Sequence, residues 1–126
     1  MFKLLNDNAK LPKRKNEFAA GLDVFASEDI SIKPGYTEYI QLGIALDINP
    51  NDYKGLYLGL VLRDTIAKKG LILPNGIGII NIDSTDEIRL LVFKPLQDPS
   101  GYENRTIHIK KGDKVGQLII QDFYSS

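Results

Sequence analysis

Gly78-Ile79-Ile80-Asn81-Ile82-Asp83-Ser84-Thr85-Asp86-Glu87 is an apolar run that breaks into a polar turn and resumes at once as Ile88-Arg89-Leu90-Leu91-Val92-Phe93. Isoleucine, valine and phenylalanine favour strands, and two such runs around a few polar residues read as a β-hairpin. Its tip carries most of the side chains able to do chemistry, so the function turns on it.

The flanking sequence has the same character. Period-two alternation is clear in Ile30/Ile32 and in Ile44/Leu46/Ile48, and Leu56–Leu62 is a continuous apolar run short enough for a buried strand. Pro34-Gly35, Asn49-Pro50-Asn51-Asp52 and Pro74-Asn75-Gly76 supply turns between them. Further strands are expected at Met1–Leu5, near Thr106–Lys110 and over Val115–Phe123, and only Thr65–Lys69 favours a helical turn. Short strands at about ten-residue spacing imply an all-β barrel or jelly roll, here one domain over residues 1–126. The basic stretch within Asn6–Glu17 reads as a solvated surface loop. His108 alternates with Ile107 and Ile109 and is expected at the surface, facing away from both.

Composition narrows the function classes. Sixteen basic residues balance sixteen acidic ones, so no net field favours duplex nucleic acid or a membrane surface. Cysteine is absent, which removes disulfides and thiolate metal sites. No apolar run approaches the ~20 residues of a bilayer span, and Met1-Phe2-Lys3-Leu4-Leu5 is too short for a signal-peptide core. The expectation is a soluble, intracellular, cytoplasmic protein.

The hairpin stretch resembles the nucleotide-binding hairpin of the dUTPase family, which reads Gly-x-Ile-Asp-x-Asp-Tyr-x-Gly-Glu. Other stretches agree in order: Ala20-Gly21-Leu22-Asp23-Val24-Phe25-Ala26 is similar to the first motif, Arg63-Asp64-Thr65-Ile66-Ala67-Lys68-Lys69-Gly70 to the second, and Gly112-Asp113-Lys114-Val115-Gly116-Gln117-Leu118 to the fourth. The resemblance runs from Leu11 to Phe123. It implies a homotrimer of distorted jelly rolls with sites at subunit interfaces, hydrolysing dUTP to dUMP and diphosphate with magnesium. By the same resemblance Asp23 helps organise metal and water, Arg63 and Gln117 hold phosphate, and the backbone of Gly78 to Ser84 holds a base.

The chain departs from that pattern where the reaction is performed. Asp64 and Thr65 replace the serine and glycine of the second motif. An ionised Asp64 can only accept hydrogen bonds; like charges 4 Å apart repel by about 4 kcal/mol at an effective dielectric near 20, so triphosphate binding in the family's pose should weaken about tenfold or more. Asn81 holds the place of the water-activating aspartate, and a carboxamide takes no proton at neutral pH. Ser84 replaces the aromatic that packs on the nucleoside, and Asp86 replaces a glycine, while Asp83 and Glu87 match. The family's Gly-rich arm is expected to be missing after Ser126. Leu96–Glu103, with Tyr102, and Tyr53-Lys54-Gly55 read as surface insertions.

The expectation is therefore a dUTPase-fold homotrimer, a pseudoenzyme that has lost ordinary dUTP hydrolysis and binds a nucleotide or nucleotide-derived ligand at an interface pocket. The expected ligand set is Arg63, Asp64, Thr65, Gly78, Ile80, Asn81, Asp83, Ser84 and Gln117, with Asn81 and Asp64 at the altered catalytic positions. Mg2+, through Asp23, is expected only if the protein is catalytic or binds a triphosphate. Two alternatives stand beside it. One is a magnesium-dependent nucleotide diphosphohydrolase, in which Asp23 and Asp64 hold the ion and another carboxylate activates water. The other is an interaction trimer without ligand.

Overall fold

A computed structural model describes residues 1–96 and 105–123. In chain order the elements are β1 (Phe2–Leu4), β2 (Lys13–Arg14), β3 (Leu22–Phe25), β4 (Ile30–Ile32), β5 (Thr37–Leu46), a 3-10 turn (Pro50–Tyr53), β6 (Leu56–Leu62), α1 (Asp64–Ala67), β7 (Gly78–Asn81), β8 (Ile88–Phe93), β9 (Ile107–Ile109) and β10 (Lys114–Asp122). They form a three-stranded sheet, β1-β5-β8, a five-stranded sheet, β2-β3-β10-β6-β7, and a β4-β9 ribbon. The all-β jelly-roll expectation holds, and the one helix lies at the expected turn. It covers Asp64–Ala67 rather than Thr65–Lys69, because the amide protons of Ile66 and Ala67 both bond the Arg63 carbonyl.

The core is the space between sheets. Leu58, Leu60 and Leu118 point inward from the five-stranded sheet, and Ile40, Leu42, Leu90 and Val92 meet them from the other; all are fully buried. Each such side chain contributes about 1.5–3 kcal/mol relative to exposure. Alternation then decides the outward face. Tyr57, Val61, Asn81, Asp23 and Gln117 fall in register away from that core.

The expected hairpin is not one. β7 pairs with β6, whereas β8 pairs with β5 in the other sheet, so Ile82–Glu87 is an arch crossing between layers. Each run finds a partner with which it can bury its apolar alternate positions, Ile80 from one side and Ile88, Leu90 and Val92 from the other. Ile82 is itself buried and anchors the crossing. Two strands with a polar turn satisfy both topologies at the level of pattern, and packing selects the arch.

The arch is tied at its far end. β5 carries a bulge between Gln41 and Ile44, where Gly43 takes φ +67 and a Cβ would stand 2.6 Å from that of Ala9. Only glycine suits both demands. The Gly43 N–H donates to Glu87 Oε2 at 3.2 Å.

Smaller expectations also stand. Gly35 has φ +85 and the Tyr36 N–H bonds the Lys33 carbonyl, as a Pro-Gly type II turn requires. His108 lies exposed between buried Ile107 and Ile109, its Nδ1 2.8 Å from Ser31 Oγ. The Asn6–Glu17 stretch is a surface loop that contributes the two-residue β2 against β3. Gly55, in the second proposed insertion, accepts from the Phe123 N–H at 2.9 Å. Tyr102 and the rest of Gln97–Asn104 lie outside the described residues.

Candidate functional site

The motif residues fall into two groups. The first gathers on the outward face of β3, β10 and β6. Gln117 stands directly opposite Asp23 on one side and Val61 on the other, and a Cβ on Gly21 would stand 2.8 Å from Gln117 Oε1, so the carboxamide lies over a bare glycine. Arg63 follows β6, its backbone N–H bonded to the Val115 carbonyl at 2.9 Å, its side chain half-buried at the start of α1. Asp64 and Thr65 are exposed in the first turn, where a carboxylate also favours the helix.

The second group is the arch. β7 and β8 are outer strands of different sheets, and Ile72 pairs with Phe93 to close one end of the gap between them. The remaining gap is a cleft of ≈ 270 Å³ lined by Asn81, Ser84, Asp86, Glu87 and Arg89 among others. It borders a smaller one of ≈ 160 Å³ lined by Leu60, Leu73, Asn75, Gly78 and Leu90. An outer strand has backbone groups outside its ladder, so the Gly78–Asn81 edge can pair with a planar heterocycle. Asn81 is exposed, and its carbonyl accepts the Ser84 N–H at 3.0 Å, turning the chain at the cleft mouth. Asp83 is exposed but lines a different surface, with Ile82 and Tyr57.

These groups do not meet in one chain. Asn81 pairs with Tyr57 and Arg63 follows Leu62, so they stand at opposite ends of β6, about 20 Å apart at ~3.3 Å per residue. The expected ligand residues are thus divided between these two places on one chain, with Asp83 on a third surface.

Asp23 is the expected metal ligand, joined by Asp64 in the hydrolase alternative. Its Oδ2 lies 3.2 Å from Lys114 Nζ, so an ammonium already satisfies the charge a cation would. β10 lies between β3 and β6, separating Asp23 from Asp64 by two strand spacings, roughly 10 Å or more. No group of three or more carboxylates or histidines converges among the described residues. Asp23 and Asp64 therefore build no preformed magnesium cage by themselves, and an ion here would be held by one or two carboxylates together with a ligand's phosphates.

Sequence reasoning missed Tyr39, Arg89 and Lys114. Arg89 pairs with Gln41, which makes Tyr39 its diagonal neighbour, and the Arg89 guanidinium carbon lies 3.8 Å from the Tyr39 ring centroid at the cleft wall. Only the pairing register reveals this.

The dUTPase family model matches residues 7–125. This chain belongs to the dUTPase family. It is 31% identical over 121 residues to the deoxyuridine 5'-triphosphate nucleotidohydrolase of Corynebacterium jeikeium, covering 94% of this chain and 70% of that one. It is 34% identical over 119 residues to the Corynebacterium glutamicum protein of the same name, covering 93% and 72%. In fold it is similar to a point mutant of the dUTPase of phage phi11 of S. aureus, with TM-score 0.84, 22% identity and coverage of 100% and 92%; coordination of a structural Mg(II) ion is described for that protein. A point mutant of the Staphylococcus bacteriophage 80alpha dUTPase, seen with dUpNHpp, superposes with TM-score 0.82 at 22% identity, covering 100% and 91%.

Proposed function

We propose that this dUTPase-family chain binds a nucleotide in a homotrimer and does not carry out ordinary dUTP hydrolysis. The observation that carries the binding reading is the division of the motif residues between the two ends of β6. A phosphate group at Arg63 and Gln117 and a base in the arch cleft belong to one ligand only if a neighbouring copy supplies one half. A cyclic trimer repeats that contact at every interface.

The loss of hydrolysis rests on Asn81. Its carboxamide stands exposed at the cleft, where the family pattern has a carboxylate, and it cannot accept a proton at neutral pH. A second reading is favoured by Asp86, an exposed carboxylate lining the same cleft, which could activate water in place of position 81 in a divergent nucleotide diphosphohydrolase.

One experiment separates these. The protein is incubated with mixed ribo- and deoxyribonucleotides and magnesium, filtered, and every species is quantified by anion-exchange chromatography. Depletion of one nucleotide without cleavage supports the binding reading. Appearance of dUMP and diphosphate contradicts it and favours the hydrolase, and a panel neither depleted nor cleaved contradicts both.

A further inference from the structure

One row of side chains crosses the outward face of the five-stranded sheet. Lys13 on β2 stands opposite Asp23, Asp23 opposite Gln117 and Gln117 opposite Val61, and directly opposed residues share a face. Two further lysines reach this row. Lys114 Nζ lies 3.2 Å from Asp23 Oδ2. Lys10 Nζ lies 5.2 Å from the ring centroid of Phe25, which stands opposite Lys114 and two residues along β3 from Asp23. Three ammonium groups therefore surround one carboxylate, and Lys10 and Lys13 are exposed. Asp23 offsets one of the three charges, so the face beside Gln117 keeps an excess of positive charge. An ammonium is a compact charge with three rotatable donors, well suited to phosphate.

Arg63 adjoins the same face. It lies two residues past Val61 in backbone that is still extended, φ −72 and ψ 144, so alternation turns it outward. On its far side the charge reverses. Asp64 is exposed at the start of α1, and when ionised it repels phosphate and donates nothing to it. β3 and β2 lie two and three strand spacings from β6, roughly 10 and 15 Å, beyond close reach of that carboxylate. A phosphate held at Arg63 and Gln117 meets repulsion toward α1 and attraction toward β2.

We propose that the phosphate tail of the bound nucleotide runs across β10 toward β3 and β2, away from Asp64. Lys10, Lys13 and Lys114 receive its terminal phosphates. The inference rests on the binding reading above and adds the direction of the tail and three residues that hold it.

Affinities of mono- and triphosphates test it. Each common ribo- and deoxyribonucleoside is titrated calorimetrically into the full chain in both forms, and the nucleoside that binds most tightly sets the comparison. The triphosphate binds about tenfold tighter or more. The double variant Lys10→Gln/Lys13→Gln lowers the triphosphate-to-monophosphate ratio about tenfold, as loss of two exposed charge pairs does. Asp64→Asn moves both affinities by the same factor, keeping the ratio within about twofold. All three side chains are exposed, and an unchanged melting temperature confirms folding. A triphosphate no tighter than its monophosphate, a ratio unmoved by the lysine variant, or a ratio raised about tenfold by Asp64→Asn overturns this path and leaves nucleotide binding standing. No binding by any nucleotide overturns both.

Discussion

Glu87 Oε2 accepts the Gly43 amide proton across 3.2 Å, joining the last residue of the arch to the bulge of β5. Gly43 is buried, so Glu87→Ala leaves an interior N–H without its partner, at a cost of about 1–3 kcal/mol. Gly43→Ala should cost about 2 kcal/mol or more, since φ +67 disfavours a side chain and the new Cβ would meet that of Ala9. Urea unfolding midpoints measure both. A neutral Gly43→Ala would show that the bulge is not the anchor argued here.

The separation of Arg63 from Asn81 predicts complementation between subunits. Arg63→Ala should weaken nucleotide affinity about tenfold or more, as loss of a charge-assisted phosphate contact does. Asn81→Trp, which fills the cleft mouth, should also abolish binding. Refolding the two variants together at equal amounts restores wild-type half-site pairs at about a quarter of the interfaces of a cyclic trimer. Binding stoichiometry after mixing reads this directly, and no recovery would place each whole site within one chain.

The Lys114 ammonium stands where a cation would approach the Asp23 carboxylate. The pair is partly exposed, 33% for Lys114 and 14% for Asp23, so Lys114→Met should cost less than about 1 kcal/mol of stability. It should also create a magnesium-dependent rise in melting temperature that the wild-type chain lacks. A magnesium response already present in the wild type and unchanged by the substitution would contradict the fit argument.

The sequence disclosed the fold class because short alternating strands and turn residues are local signals, and Pro34-Gly35 and Leu56–Leu62 carried them without tertiary context. The partner of each strand was not local. Gly78–Phe93 has the composition of a hairpin, yet the halves belong to separate sheets because β5 and β6 offer each of them its ladder. The candidate site divides in the same way. Residue identities at positions 63, 64, 81 and 117 were legible as departures from or matches to a family pattern. Their separation along β6, the Asp23–Lys114 pair and the Tyr39–Arg89 stack depend on register, which a one-residue shift would erase.

The most direct measurement is single-turnover dUTP hydrolysis by the wild-type chain, Asn81→Asp and Asn81→Ala, with magnesium present. If Asn81 is why the reaction is lost, the wild type and Asn81→Ala form no dUMP above the uncatalysed background. Asn81→Asp then gains hydrolysis by about 10² to 10⁴, the usual contribution of a general base. Wild-type turnover that Asn81→Ala leaves unchanged would contradict the account and assign the chemistry to another carboxylate.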